Sequence, residues 1–530
     1  MNIKKTVNKE IIRDLIVLLV LAIILFSFKM PVLDSPYIDD EAFWYVPKSL
    51  LIEEQNFNPI FRAKGIPSEL EVDKLGARKH PWLTNYISDF SHPPMFYEIM
   101  GFSYWLFGYG QRVSHIIILL FALMTIFLTY KIGNEFMGFT KGVLAALMLF
   151  FTPVFFGQSA RIYPEIPIAA MTLLSLYFYI KNNKTGFLLS ASILVLLKEQ
   201  AVLFVLALII YDYYKTRKFE LNYFIPILVL IFWYLFHYQA TGLFMYYANY
   251  TSGTGFGVFL SNFLSYTKFL LLDQFRFVLI IPALYFMFNK NYTDDNSKQT
   301  NKKIDEKANK KANKELEREK NQKIDKEIAR KKNINKTIQI ISGLTILFYL
   351  ILFSWKDLSF MRHIIPLFPL IFLVFVKQIP KKILYFVAII LIVASFTQYN
   401  SETKINYEEN MRYSSVIKTH QLAINYIQEN YLDRTIWVDG YSYLDYTYPY
   451  VGYVDKPVKV NIIPTNYIRF KDQYYPEKFK DNFKSGDIII EDSLFVNEIR
   501  QDYKEIFNLN LENKKEFIVN NDYTKIYEVK

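Results

Sequence analysis

The chain contains no cysteine among its 530 residues. This absence excludes disulfide bonds, zinc sites built on cysteine and thiol nucleophiles, although it does not identify the redox compartment. A second absence follows the first apolar run, residues 15–32. No small-residue cleavage site stands after it, although Lys4 and Lys5 give the N-terminus the basic start of a signal peptide. Because the run is also long, we expect a retained membrane helix.

Long apolar runs are missing from the last quarter of the sequence. Runs of roughly 15 to 20 mostly apolar residues recur up to residue 397 and then stop. Hydrophobic residues make up 52 % of the chain and aromatic residues 18 %, which is unlike an ordinary soluble domain. We therefore predict a polytopic α-helical membrane module over residues 1–400 and a soluble domain over residues 401–530.

The basic excess is concentrated in one segment. The net charge is +11, yet residues 290–336 hold 16 Lys or Arg against 9 Asp or Glu, and residues 401–530 hold 17 against 21. Basic loops mark the cytoplasmic side of a membrane protein. We therefore predict a cell-membrane protein with a cytoplasmic N-terminus, a charged cytoplasmic loop at 290–336 and an extracytoplasmic C-terminal domain. Nucleic-acid binding is not needed to explain the charge.

The same rule predicts about eleven transmembrane helices. Residues 34–111 form the first external loop, in which the short apolar stretch 94–108 is read as an interfacial or re-entrant helix. Counting it as a span would place Lys131 and Lys141 outside. Residues 240–275, which are rich in Gly, Ser and Thr near their middle, are predicted to form a second external loop.

The C-terminal domain has a mixed α/β pattern. Apolar residues at helical spacing predict a helix over 415–431, and short apolar runs predict buried strands at 435–438, 487–490 and 516–519. Tyrosines recur through residues 441–453. They either stack on sugars or line a packed surface, and the second interpretation is the commoner one.

Three consecutive carboxylates mark the candidate site. Asp39, Asp40 and Glu41 follow closely on the first apolar run, and Tyr37, Trp44 and Tyr45 flank them. This pattern indicates either a solvated loop with aromatic anchors at the membrane surface or a polar site at that boundary.

Other ionisable residues fall at the same predicted face. Charges at membrane depth are costly and usually mark a pathway or a site, although mutual pairing that only joins helices is the alternative, for instance Glu165 with Arg161 or Lys198. The set comprises His92, Arg112, Arg161, Glu165, Lys198, Glu199, Arg362 and His363.

This mixture of side chains indicates a chemistry. A carboxylate supplies a general base for a hydroxyl or amine, and Arg and Lys hold a phosphate. With an apolar groove for a lipid tail, these groups suit sugar transfer from a polyprenyl phosphate, whose departing phosphate needs stabilisation. Two other classes stay open: a transporter or flippase of lipid-linked glycans, and a non-catalytic membrane subunit. The absence of visible internal repeats disfavours the transporter.

Short motifs in the same order resemble those of the protein O-mannosyltransferases and the lipid A aminoarabinose transferase. Each is weak alone, and together they cover about residues 10–395. The motifs are Asp40-Glu41, Ser91-His92-Pro93-Pro94-Met95-Phe96-Tyr97, Phe107-Gly108 with Arg112, Arg161-Ile162-Tyr163-Pro164-Glu165, Leu197-Lys198-Glu199 and Arg362-His363-Ile364-Ile365-Pro366.

The resemblance implies a GT-C fold glycosyltransferase that uses a polyprenyl-phosphate sugar on the outer face. It implies Asp40 as the general base, Glu41 as an orienting residue and Glu165 as a second carboxylate near the acceptor or sugar; Asp39 is the alternative base. The candidates for the donor phosphate are His92, Arg112, Lys198 and Arg362. Further candidate substrate-binding residues are Asp39, Arg161, Tyr163 and His363.

The resemblance does not carry a metal site over to this chain. Ser91 stands where the aminoarabinose enzyme has a metal-binding Glu, so no metal ligand is assigned, and a divalent metal stays an open alternative. The acceptor is equally open among protein, lipid and cell-surface glycan.

Overall fold

The computed structural model describes residues 2–54, 56–57, 92–241, 255–289, 314–355, 361–399, 410–439, 442–463, 481–492 and 507–530. Within these ranges, six helices are long and apolar enough to span a membrane, and five shorter apolar helices accompany them. The predicted polytopic helical architecture with a small C-terminal α/β domain is confirmed.

The helices of the membrane module are numbered here in chain order. They are α1 (Asn2–Lys29), α2 (Val46–Glu54), α3 (Met95–Phe107), α4 (Gln111–Met137), α5 (Phe139–Phe151), α6 (Pro153–Gln158), α7 (Glu165–Ile180), α8 (Lys184–Leu197), α9 (Val202–Thr216), α10 (Ile225–Thr241), α11 (Phe256–Leu271), α12 (Phe277–Phe288), α13 (Lys314–Trp355), α14 (Phe368–Gln378) and α15 (Lys381–Gln398).

The segment predicted as an external loop, residues 240–275, contains a helix in its described part, and its residues 242–254 lie outside the described residues. This apolar helix, α11, packs against α13. Its buried face is Tyr266, Phe269 and Leu270, at the i, i+3 and i+4 spacing of a helix. Polar residues between these positions shorten the apolar run, so the run length that identifies a span gave no signal there.

The charged segment at 290–336 is partly helical. Its second half continues without a break into the membrane helix, because α13 runs from Lys314 through Trp355 over 42 residues. The described half of the predicted charged loop, residues 314–336, is therefore helical. The first half of the loop lies outside the described residues.

Basic residues near two loops pair with acidic residues of neighbouring helices at one end of the bundle. Lys131, near the end of α4, forms an ion pair with Asp14 of α1, and Lys181, after α7, pairs with Glu135 at 2.7 Å. These contacts bring the same ends of α1, α4 and α7 together. The first residue of α4, Gln111, lies at the opposite end of this helix, beside the candidate site.

The C-terminal domain is a five-stranded sheet with helices. Helix α16 (Tyr413–Asn430) precedes the strands, and a short helix, α17 (Tyr443–Thr447), follows the first of them. The sheet order is β2-β1-β3-β5-β4, with parallel pairing among the first three strands and antiparallel pairing beyond them. The strands are β1 (Ile436–Asp439), β2 (Asn461–Ile463), β3 (Ile488–Asp492), β4 (Leu511–Val519) and β5 (Asp522–Val529).

The predicted helix and the strands at 435–438 and 487–490 are present, but the prediction of burial at 516–519 is wrong. That stretch belongs to the edge strand β4, and Glu516 and Ile518 are exposed. An edge strand pairs on one side only and is not required to be apolar. The sequence patterns did not predict β5. This strand pairs with β3, and the residues along it alternate largely between buried and half-buried.

A buried polar cluster lies between α16, α17 and the sheet. Nδ1 of His420 lies 2.8 Å from Asp445, and the hydroxyl of Ser442 donates to Asp439 at 2.6 Å and to Asp492 at 3.0 Å. Burial alone would lower the pKa of His420. The bond to Asp445 and the charges of Asp492 and Asp439 outweigh burial and raise that pKa to about 9.

This raised pKa predicts a pH-dependent contribution to the domain's stability. A protonated His420 stabilises the fold fully below its unfolded pKa of about 6.5 and loses that contribution as the pH rises through about 9. His420→Gln should therefore destabilise the domain most near pH 6, by about 3 kcal/mol. The measurement is amide exchange of β1 and α17 in variant and wild type at matched pH. A difference that grows toward pH 9 would contradict the assignment.

Candidate active site

The acidic turn after α1 has an unusual backbone. Asp39 has a φ of 55°, in the left-handed region, and Glu41–Tyr45 form a π-helical turn in which the N–H of Val46 donates to the Glu41 carbonyl. Asp is one of the few side chains that tolerate the left-handed region. The reversal at Asp39 separates its carboxylate and that of Asp40 from the buried Glu41.

Glu41 fastens this turn to the loop before α7. Its Oε1 lies 2.8 Å from Nε of Arg161 and accepts the N–H of Ile162 at 2.6 Å, and its Oε2 accepts the N–H of Ile38 at 3.2 Å. Glu41 and Arg161 are each 1 % exposed, and the guanidinium also donates to Tyr163 Oη at 2.9 Å. The pair is thus a framework contact that joins the acidic turn to the loop before α7.

Asp40 faces a different cation. The guanidinium of Arg362, in the short helix Met361–Leu367, pairs directly with the Asp40 carboxylate and lies 4.0 Å from Asp39. The same guanidinium lies over the ring of Tyr163, 4.2 Å from its centroid. Asp40 keeps 28 % of its side chain exposed, whereas Arg362 keeps 2 %. Of the two, the carboxylate is the group that a substrate can reach.

Glu165 and Lys198 form a second buried pair beside the first. Nζ of Lys198 donates to Oε1 of Glu165 at 2.8 Å, and Nδ1 of His363 lies 2.8 Å from the same oxygen and 3.3 Å from Nζ. The charge of Lys198 acts on Asp40 as well, and that of Arg362 acts on Glu165. The two pairs therefore form one electrostatic unit.

A third group of polar residues borders this unit. Nδ1 of His92 lies 3.0 Å from Oε2 of Glu199, the residue that follows Lys198. Nearby, the ammonium of Lys48 lies over the rings of Trp44, at 4.4 Å, and Tyr97, at 5.6 Å. The charges of Lys48 and Lys198 both act on His92. Lys48 and Lys198 thus both lie near His92.

The environment raises the pKa of Asp40. Burial of the carboxylate is the largest cause and the neighbouring charge of Asp39 adds to it, while the charges of Arg362 and Lys198 oppose the rise. The result is a pKa of about 6, above the usual 3.8. A carboxylate with this pKa is ionised at neutral pH and is a stronger base than an ordinary Asp.

The structure brings together most of the residues selected from the sequence. Asp39, Asp40, Glu165, Tyr163, Lys198, Arg362 and His363 are joined by the contacts above, with His92 at their border. Arg112 does not join them. It pairs with Asp34 through Nε at 2.9 Å, and both side chains are more than half exposed. Glu41 and Arg161 pair away from solvent, which favours a role in holding the turn.

Lys48 is a neighbour that the sequence analysis missed. Lys48 is fully buried and lies one helical turn after Trp44. Its four-residue spacing from Trp44 is the feature of the sequence that could have indicated this contact. Tyr97, which lies near both Lys48 and Tyr45, was quoted only as part of a motif.

The described residues offer no evident metal site. Across the ranges that the structure covers, no group of three or more His, Cys, Asp or Glu side chains is arranged to hold a metal ion. Ser91 lies outside those ranges. His92 and Glu199 face each other and provide two potential ligands only.

Comparisons with known proteins agree with this architecture. Residues 91–238, which include His92, Glu165 and Lys198, match the family model of dolichyl-phosphate-mannose-protein mannosyltransferases. Two crystal structures of ArnT from Cupriavidus metallidurans, one bound to undecaprenyl phosphate and one in the apo state, each align with a TM-score of 0.50 and 12 % identity over 98 % of both chains. No curated protein sequence matches the chain.

The family match and the shared fold confirm the resemblance drawn from the motifs. The chain is a polytopic helical protein with the fold of ArnT, and its residues 91–238 are similar to the dolichyl-phosphate-mannose-protein mannosyltransferases.

Proposed function

We propose that the protein transfers a sugar from a polyprenyl-phosphate donor to a hydroxyl or amine acceptor, with Asp40 as the general base. The observation that carries this proposal is the contact between a reachable carboxylate, Asp40, and the buried guanidinium of Arg362, with Lys198 close enough to act on both pairs. A base and a site for a departing phosphate thus lie side by side. The bound undecaprenyl phosphate in ArnT supports the class of donor.

In the proposed reaction Asp40 takes the proton of the acceptor as its oxygen or nitrogen attacks the anomeric carbon. The bond between that carbon and the phosphate oxygen breaks, and its electron pair leaves with the polyprenyl phosphate. Arg362 and Lys198 stabilise the charge that develops on this leaving group. Glu165 holds Lys198 in place through the hydrogen bond between Nζ and Oε1.

We assign the other candidates by their surroundings. His92 is proposed to donate a hydrogen bond to the donor phosphate, whether its ring is protonated or neutral. Glu199 orients the ring. The guanidinium groups of Arg161 and Arg362 both lie over the ring of Tyr163, which we assign to positioning Arg362. Asp39 and His363 line the same group, and Arg112 is left outside it because it pairs with Asp34.

The proposed orientation places the site on the extracytoplasmic face. Lys131 and Lys181, which are joined to Asp14 and Glu135, lie at the end of the bundle opposite Gln111. Since clustered basic residues favour the cytoplasmic side, the acidic turn and the C-terminal domain would face outward. Candidate acceptors are a protein, a lipid or a cell-surface glycan.

Asp40→Asn tests the central assignment. Removing a general base typically costs about 10²- to 10⁴-fold in rate, and Asn keeps the shape of the side chain. The assay incubates membranes containing the full chain with a panel of polyprenyl-phosphate sugars and follows by mass analysis which donor disappears. Asp34→Asn, on the exposed pair with Arg112, is the matched control and should consume donor at the wild-type rate. Wild-type turnover by Asp40→Asn would refute the assignment.

The pH profile distinguishes Asp40 from Asp39 as the base. Since the base must be ionised, kcat/KM should rise with pH through about 6, the pKa of Asp40. Asp39→Asn removes a negative charge that raises this pKa, so the acid limb should move to lower pH while activity persists. Asn also tolerates the left-handed backbone at this position. If Asp39→Asn abolishes turnover at every pH, Asp39 is the base.

The two neighbouring carboxylates should differ in their effect on folding. Glu41→Gln leaves the buried Arg161 without its counter-charge, so we expect a loss of about 3 kcal/mol in stability. In Asp40→Asn the buried Arg362 keeps Asp39 at 4.0 Å and the charge of Glu165, so we expect a smaller loss of stability than in Glu41→Gln. Thermal unfolding of both variants in detergent at pH 7.5 measures the contrast. Equal destabilisation would show that the framework role of Glu41 is misassigned.

A further inference from the structure

A segment of the C-terminal domain covers the back of the acidic turn. This segment, residues 448–453, is called the tyrosine strap. The N–H of Tyr37 donates to the carbonyl of Val451 at 2.9 Å, before the turn begins, and the hydroxyl of Tyr450 donates to the carbonyl of Ala42 at 2.6 Å, inside it. The strap therefore holds the chain on both sides of Asp39 and Asp40.

The bond to Ala42 replaces one that the backbone lacks. In the π-helical turn the N–H of Val46 reaches back five residues to the carbonyl of Glu41. The next donor in that register would be residue 47, opposite Ala42, but Pro47 has no N–H. The hydroxyl of Tyr450 supplies a donor to that carbonyl from more than 400 residues away in the chain. A π-helical turn is itself rare and frequently lies at a functional site.

The strap is in turn fixed to the membrane module on its other side. The hydroxyl of Tyr109 donates to the carbonyl of Tyr450, and Gly452 has a φ of 98°. A Cβ at residue 452 would lie 2.4 Å from Nε2 of Gln111, at the start of α4. Only glycine combines this backbone conformation with this close approach. These contacts fix the position of the strap on the membrane module. Within the strap, the side chain of Tyr450 is 3 % exposed.

The strap also has a rigid base in its own domain. Helix α17 ends at Thr447, immediately before it, and Asp445 in that helix faces the buried His420 of α16. On the far side, the N–H of Val458 donates to the carbonyl of Tyr446 at 2.8 Å. The position of the Tyr450 hydroxyl is thus set by the C-terminal domain as well as by the module.

We propose that Tyr450 is a positioning residue for the transfer reaction: its hydroxyl, held by the C-terminal domain, fixes the π-helical turn so that Asp40 is directed at the acceptor. This inference rests on the proposed function, since it assumes that Asp40 is the base. Tyr450 acts through the backbone of Ala42 and does not touch the reacting atoms. The C-terminal domain is therefore part of the catalytic geometry.

The test is Tyr450→Phe in the full-length protein, which removes one hydroxyl and keeps the ring. We expect kcat to fall about tenfold with an unchanged KM for the polyprenyl-phosphate sugar, because the donor-binding cations stay in place. Amide exchange of residues 41–46 should accelerate by a similar factor. Tyr448→Phe removes a hydroxyl from the same strap without removing the bond to Ala42, and it should match wild type in both measurements.

A second-site variant separates positioning from general loss of stability. Pro47→Ala restores an N–H opposite the Ala42 carbonyl, so in this background Tyr450→Phe should cost no more than about twofold in kcat and in exchange. An equal loss in both backgrounds would overturn the proposal. Faster exchange throughout α16 and β1 in Tyr450→Phe would assign the effect to folding and would overturn it as well. Amide exchange is measured without substrate. It therefore tests whether Tyr450 holds the π-helical turn even if no sugar donor is consumed and the proposed function fails.

Discussion

Ionised side chains between membrane helices are costly unless they face an opposite charge or another polar partner, and the site is built around this constraint. Glu41 pairs with Arg161, Glu165 with Lys198, and Asp40 with Arg362. The partners come from segments far apart in the sequence, so each pair also fixes two parts of the fold. Pairing that joins helices and a polar active site are therefore two descriptions of one arrangement.

Neighbouring carboxylates acquire different roles because their burial differs. Glu41 is 1 % exposed and has its partners in Arg161 and two backbone N–H groups, while Asp40 is 28 % exposed and faces a single guanidinium. The left-handed backbone at Asp39 makes this separation over two residues. A carboxylate that is buried and bound on both oxygens is closed to a substrate, whereas one with a raised pKa and an exposed side is open to it.

The sequence predicted much of the fold and of the candidate site. It did not predict the features that depend on contacts between residues far apart in the chain. Apolar runs and basic loops predicted the helical module, and ordered motifs predicted the meeting of Asp40, Lys198 and Arg362. The partner of Arg161 was not readable, because a carboxylate four residues away in sequence, Glu165, competes with one brought by folding, Glu41. The helix at 256–271 was not predicted because polar residues interrupt its apolar run, and the strand predicted at 516–519 belongs to the edge strand β4, which is more exposed than its apolar residues indicate.

The tyrosines of residues 441–453 show the same limit most clearly. Their spacing fits stacking on sugars as well as packing, and composition cannot separate the two. In the described part of that segment Tyr446, Tyr448, Tyr450 and Tyr453 are all buried, which favours packing. The consequence for the site comes from one of them, because Pro47 leaves a carbonyl in the acidic turn without the donor its register calls for. The missing backbone donor to the carbonyl of Ala42 thus explains why the C-terminal domain packs against the first loop.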